Sequence, residues 1–264
     1  MKLGDIEKYW REAGKGLLIS AKVTPTSKDY YLGRLEEENI SSCLNRRLSV
    51  LEIGCGDAAH TIKYAGRVKK LSCLDISKPL VEAARKRIAS FGIRNIELNA
   101  ASALDIDKLY KNRRFGCVIS QRLLINLSNW SNQKEVISKI YNLLLPGGLL
   151  LLTEAFEDGR SNINLLRRKC GLDRLERARY NRFLIRKDFE LFVKRYFRIK
   201  DIRHYGAYIF FSRVFHPLAV YPALPKYDSK LNEAAMNISR FMEHAEFEKY
   251  SYQLFYLLVK SDIK

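Results

Sequence analysis

The stretch Val50-Leu51-Glu52-Ile53-Gly54-Cys55-Gly56-Asp57-Ala58-Ala59 decides how the rest of the chain is read. A short apolar run ends at two glycines one residue apart and passes into a helix-compatible segment. Glycines let a backbone turn sharply and approach a ligand closely, and a helix N-terminus offers unpaired N–H groups to negative charge. One reading is a plain strand-to-helix turn. A second is a dinucleotide site: Gly54-x-Gly56-x-x-Ala59 fits G-x-G-x-x-G/A, and Asp75 follows about 20 residues on, where a ribose-binding acid is expected. Glu52 points to a third. It ends the strand two positions before the first glycine, where a negative charge repels a pyrophosphate but suits a cationic ligand.

Outward from this turn, short apolar runs alternate with helical patterns. Strands are expected at 48–53, 70–75, 95–100, 115–121 and 149–154. Helices are expected at 57–68, 78–91 (with Pro79 near its start, where proline is tolerated), near 104–111, and at 132–145, stopped by Pro146-Gly147-Gly148. Strands apolar on both faces and alternating with helices imply a parallel sheet covered on two sides. Two further strands, 200–205 and 252–259, are separated by a segment with a helix near 229–246. The expected fold is α/β: a doubly wound, mostly parallel seven-stranded sheet with helical cover segments. It is read as one domain, 1–264. Residues 1–46 form an N-terminal helical cover around the polar stretch Thr24-Pro25-Thr26-Ser27, and 47–155 form the core. Residues 156–250 form a basic helical insertion interrupted by the sixth strand, and 251–264 hold the last strand. Ligands of such sheets bind at the carboxyl ends of the strands.

The chain has 264 residues, 47% of them apolar and 11% aromatic, which is far from the disordered class. It carries 47 Lys and Arg against 29 Asp and Glu, a net charge of +18, and so attracts something acidic. No apolar run approaches the roughly 20 residues of a membrane span, and the first residues lack the apolar stretch of a signal peptide. Five scattered cysteines, at 43, 55, 73, 117 and 170, read as reduced thiols of a cytoplasmic protein. The four histidines (60, 204, 216, 244) and the cysteines show no metal-ligand spacing.

Leu51-Glu52-Ile53-Gly54-Cys55-Gly56 resembles the first motif of the class I S-adenosylmethionine (SAM)-dependent methyltransferases, whose acid-x-G-x-G turn holds the methionine end of a cofactor with an ammonium, a sulfonium and no phosphate. The resemblance extends to four later positions. Asp75 looks like the acid that takes both ribose hydroxyls, with Ile76 beside the adenine. Ser102-Ala103 stands where the family usually has Asp-Ala facing the adenine amino group. Ser120-Gln121 ends the fourth strand near the reacting methyl, and Leu145-Pro146-Gly147-Gly148 resembles the family's L-x-P-G-G turn. The match covers roughly 45–155 plus the two terminal strands. Ala58 replaces a frequent third glycine, Ser102 the usual acid, and Gly116 the acid that commonly opens the fourth strand. The resemblance implies SAM as cofactor, bound by Glu52, Gly54, Cys55, Gly56, Asp75, Ile76, Ser102, Ala103, Ser120 and Gln121. Lys28 and Arg34 are candidates for its carboxylate.

Methyl transfer depends on in-line positioning of the acceptor, with a base only where the acceptor holds its proton. After the fourth strand the chain reads Ser120-Gln121-Arg122-Leu123. It lacks the [N/D]-P-P-[Y/F] turn of base-amino methylation, a suitably placed cysteine nucleophile, the paired glutamates of arginine methylation and the acidic metal ligands of the catechol type. The chain is similar instead to a bacterial and archaeal group associated with polysaccharide and small-molecule modification. That similarity favours an anionic small-molecule or glycan acceptor, methylated at oxygen. Arg122 at the cleft mouth suits a carboxylate or phosphate. Tyr208, Arg213 and His216, in or after the sixth strand, are the other acceptor-side candidates, with His216 as a base. Asn126 and Trp130 are expected to cap and pack the following helix.

Residues 160–204 hold fifteen Lys and Arg and five acids, a balance of +10. They read either as a solvated helical face or as an electrostatic funnel over the acceptor site. Two rival functions stay open: an RNA methyltransferase using this basic segment, and a SAM-binding partner protein without turnover.

Overall fold

The computed structural model describes residues 3–15, 26, 28–242 and 245–261. Thr24, Pro25, Ser27 and His244 lie outside the described residues. Helices α1 (Leu3–Ala13) and α2 (Tyr30–Ser41) precede a core of β1 (Ser49–Ile53), α3 (Thr61–Ala65), β2 (Lys70–Asp75), α4 (Lys78–Ser90) and β3 (Ile96–Ala100). A short 3-10 turn and α5 (Ile106–Leu109) lead to β4 (Phe115–Gln121), α6 (Trp130–Leu143) and β5 (Leu144–Ala155). Then come α7 (Glu157–Lys169), α8 (Arg186–Val193), β6 (Phe197–His204), α9 (Gly206–Phe210), a π-helical turn (Phe211–Phe215), α10 (His216–Val220), α11 (Lys230–Ser239), α12 (Ala245–Glu248) and β7 (Gln253–Lys260).

The strands form one sheet in the order β3-β2-β1-β4-β5-β7-β6. β1 to β5 are mutually parallel, and β7 runs antiparallel to β5 and β6. This is the expected doubly wound, mostly parallel seven-stranded arrangement. Alternate residues of β1 feed opposite faces: Leu51 and Ile53 join one apolar cluster, Val50 the other. The central strands are therefore mostly apolar, because both faces are covered. Local chemistry starts the helices where the sheet needs them. Ser77 and Asn129 cap α4 and α6 by accepting from the Leu80 and Asn132 N–H groups, and Asp29 caps α2 by accepting from Leu32.

Several boundaries differ from expectation. The helix expected at 57–68 is confined to Thr61–Ala65, because Gly54, Gly56 and Ala58 all adopt positive φ and hold the chain in a loop. Pro146-Gly147-Gly148 does not precede the fifth strand but bulges within it: Phe115 pairs with Leu144 and Cys117 with Leu149. The charged segment is not continuously helical. Between α7 and α8 it is irregular, pinned by a bridge from Phe156 to Leu184 and an Asn164 side chain bonded to Leu175. The sixth strand begins at Phe197, earlier than expected. The helix expected at 229–246 divides into α11 and α12. Among the described residues no helix is long and apolar enough to cross a membrane, no metal-binding group of side chains occurs, and all five cysteines are free.

Candidate active site

The strand order reverses between β1 and β4, and the crevice this leaves opens at their carboxyl ends. A cavity of about 370 Å³ sits there, within the range of small-molecule sites. One end is built by the core. Gly54 and Gly56 carry φ values of +78° and +56°, and a Cβ at either would come within 2.9 Å of Leu123 or Thr26. Only glycine permits both the turn and this packing. The turn is closed by Asp75, whose Oδ2 accepts from the Gly56 N–H and whose Oδ1 accepts from the Ser77 N–H, each at 2.9 Å. Asp57 beside it is neutralised by buried Arg87 at 2.7 Å.

Glu52 and Asp75 both line the cavity, both are buried, and neither has an ion-pair partner among the described residues. Loss of solvent pushes Glu52 up to about 7, against partial relief from Thr61, His60 and Cys73. The same loss pushes Asp75 up to about 6, opposed by its backbone hydrogen bonds. Two unpaired carboxylates make the pocket hostile to a pyrophosphate and receptive to a cation. His60 lines the same end. Both its ring nitrogens are buried without a hydrogen bond, with Nδ1 3.9 Å from Glu37.

Of the expected cofactor residues, Glu52, Gly54, Cys55, Gly56, Asp75, Ile76, Ser102, Ala103 and Gln121 all line the cavity. Ser120 does not. It is fully buried and its hydroxyl turns away to Glu154. Glu154, pushed up to about 8 chiefly by burial, accepts from the Leu124 and Ile125 N–H groups. It thereby fixes the turn after β4, where Arg122 sits at φ 54°. Lys28 reaches the cavity; Arg34 does not, and its guanidinium lies near Tyr30 and Glu38.

The other end is built by the covers: α1 (Ile6, Glu7, Trp10), the turn after β4, residues 178–183, Arg213, Tyr227 and the start of β7. Here the structure corrects the sequence expectations. His216 is buried against Asn232, Nδ1 to Oδ1 2.9 Å, and does not line the cavity, because the π-helical turn rotates it toward α11. Tyr208 is fully buried and its hydroxyl donates a hydrogen bond to Asp29 at 2.7 Å. Arg213 does line the cavity, but its guanidinium is held by Asp29, Ser212 and Tyr252 and stacks over Tyr227 at 4.2 Å. Arg122 lines it too, 3.5 Å from buried Glu36. Asn126 does not cap α6, a role taken by Asn129; it lines the cavity and ties Arg122 to Asn181. Trp130 packs against Phe192 as expected.

None of the fifteen basic residues of 160–204 is among the lining residues. That segment contributes Ala178, Tyr180, Asn181 and Phe183 instead. Arg160, Arg186 and Arg203 are ion-paired. His60, Trp10, Tyr180, Phe183, Tyr227 and Gln253 escaped the sequence reading. They carry no local motif and reach the cavity only through packing of the covers.

Residues 50–148 match the family described as a methyltransferase domain. An uncharacterized methyltransferase of Mycobacterium tuberculosis is 28% identical over 101 residues, covering 38% of this chain and 47% of its own length. The chain spans less than half the length of the curated relatives it first matches. Among solved structures, the magnesium protoporphyrin IX methyltransferase of Synechocystis PCC 6803 with bound SAH aligns with a TM-score of 0.62 at 14% identity, over 98% of this chain and 99% of its own. The N-methyltransferase NodS of Bradyrhizobium japonicum WM9, in complex with S-adenosylhomocysteine, aligns with a TM-score of 0.54 at 12% identity, over 97% and 98%. At such identities the structural likeness speaks to the fold.

Proposed function

We propose that this chain, whose residues 50–148 match a methyltransferase domain on a seven-stranded, mostly parallel sheet, is a class I SAM-dependent methyltransferase that transfers a methyl group from SAM to an anionic oxygen of a small-molecule acceptor. The observation that carries the cofactor half is the pair of buried, unpaired carboxylates, Glu52 and Asp75, around a glycine turn. A ligand with cationic groups and no phosphate offsets what their burial costs. Asp75 would hold the ribose hydroxyls, and Ile76, Ser102 and Ala103 would flank the adenine. The Gly54–Gly56 turn, with Glu52 behind it, would face the methionine end. When bound, the cofactor supplies an electrophilic methyl on a positively charged sulfur.

The acceptor half rests on the state of the groups at the other end. Asp29 is engaged by Leu32, Tyr208 and Arg213. Gln121 accepts from Tyr64 and donates to Glu36. His216 lies outside the cavity. With its expected base removed, the site favours an oxygen that arrives already ionised, such as a carboxylate, and the chain then has only to position it in line. Arg122, partly offset by Glu36, is the cation beside that position.

Incubation of the protein with methyl-labelled SAM and a cell extract, fractionated into small molecules, glycans, RNA and protein, tests this. Label should enter the acidic small-molecule fraction and be lost with Asp75→Ala, which should cut SAM affinity at least ~100-fold by removing charge-assisted hydrogen bonds while circular dichroism stays unchanged. Unaltered SAM affinity in that variant sinks the cofactor assignment. RNA is the second reading, favoured by the exposure of Arg168, Lys169, Arg174, Arg177 and Arg179. Label in RNA, with binding that falls steeply as salt rises, would select it.

A further inference from the structure

The acceptor end of the cavity has a character that charge did not foretell. Its walls are aromatic. The Phe183 and Tyr252 rings lie 6.5 Å apart between centroids and 17° from parallel. Tyr227 lines the same end, its ring against the Arg213 guanidinium at 4.2 Å. Arg213 is neutralised by Asp29 and donates to the Tyr252 hydroxyl at 3.3 Å. It therefore acts as a bracket that sets two tyrosine rings, and has no free charge to offer an anion. Such ring faces favour flat π-systems over saturated rings of the same size.

Among the described residues that line this end, one carries a buried polar atom that goes unanswered. Gln253, the first residue of β7, is 2% exposed and lines the cavity, opposite Ala155 across the sheet. Its side-chain nitrogen Nε2 is buried and has no hydrogen-bond partner among the described residues. An amide N–H₂ only donates, so what it lacks is an oxygen. Buried donors left unpaired are costly, and native structures keep them where a ligand completes them.

We propose that the acceptor is a planar aromatic carboxylate whose ring packs on Phe183, Tyr252 and Tyr227 while its oxygen accepts from Gln253 Nε2. The inference rests on the methyl-transfer reading above and narrows its acceptor. Gln253 acts as a specificity-determining donor and half-buried Phe183 as a face of the wall.

The test is binding in the presence of saturating S-adenosylhomocysteine, by calorimetry, with two probes of one carbon skeleton: 2-naphthoate and decahydro-2-naphthoate. The planar probe should bind about 3- to 10-fold more tightly, the range of aromatic pairing. Phe183→Leu should erase that preference. Gln253→Leu should weaken both probes about tenfold or more, as loss of a hydrogen bond to a charged oxygen does, and Gln253→Glu should weaken them further by repulsion. Affinity for S-adenosylhomocysteine should be unchanged in all three variants, which also reports that they fold. Equal affinity for the two probes, absence of binding by either, or indifference to Phe183→Leu and Gln253→Leu would overturn the inference while leaving methyl transfer standing. Failure of the unaltered protein to bind S-adenosylhomocysteine would instead overturn the methyltransferase reading.

Discussion

Glu52→Gln should make the ligand-free protein more stable at alkaline pH and, at the same time, a poorer binder of SAM. Glu52 is buried at the end of β1, where the Cys73 thiol donates to it at 3.7 Å. Burial raises it from 4.5 to about 7. A carboxyl raised in the folded state binds its proton more tightly there than in the unfolded chain. Its contribution is therefore fully present below about pH 4.5 and is lost as pH climbs through about 7. Above that, holding the ionised carboxylate in the fold costs about 3 kcal/mol. Glutamine keeps the shape and removes the charge. Its extra amide hydrogens find poor acceptors and return about 1 kcal/mol of that gain. The net, about 2 kcal/mol, corresponds to a rise of roughly 4–8 °C in melting temperature for a chain of this size. Thermal unfolding of both proteins between pH 5 and 9 measures it. The gain should be full at pH 8.5 and vanish by pH 5, where Glu52 is protonated. If Glu52 faces the methionine end of SAM as proposed, affinity at pH 8.5 should move the opposite way, because the carboxylate that strains the empty fold would be the one that meets the cation. A variant no more stable than its parent at pH 8.5, or equally favoured at pH 5 and 8.5, would refute the reasoning.

Asp29→Ala should destabilise the protein by about 3–5 kcal/mol in urea unfolding, because it leaves Arg213 buried without its counter-charge; Tyr208→Phe, which removes one hydroxyl from the same cluster, should cost only about 1 kcal/mol. Gly206→Ala would place a Cβ 1.9 Å from the Phe247 carbonyl oxygen and should cost at least ~2 kcal/mol. At Gly66, where the added methyl meets nothing within 4 Å and φ is −69°, the same substitution should be neutral or stabilising by about 0.4–1 kcal/mol.

The parts legible in the sequence were those set by local rules. The parallel sheet followed from strands such as 149–154, apolar on both faces, and one end of the cavity from Glu52, Gly54, Gly56 and Asp75, which one strand–turn–helix unit and its neighbour bring together. Strand period, glycine dihedrals and the place of an acid at a strand end are encoded within a few residues. The bulge at Pro146-Gly147-Gly148 and the short α3 departed from expectation because pairing and left-handed turns overrode helical pattern. Near the acceptor, local reading failed more fully. A guanidinium at 213 looks the same in sequence whether free or held by an aspartate 184 positions away, as Arg213 is by Asp29. The fifteen basic residues of 160–204 suggested a funnel, yet the side chains that reach the cavity from that segment are Ala178, Tyr180, Asn181 and Phe183.

The sequence by itself determined the fold and the acid-flanked glycine turn at one end of the cavity, because each depends on patterns that a single strand or turn carries. Tertiary structure alone decided which side chains line the other end of the cavity. It neutralised Arg213, sent His216 into the core and Ser120 toward Glu154, and set Phe183 against Tyr252. The wall those residues form comes from several cover segments that meet only when the chain packs, and no spacing along the chain records that meeting.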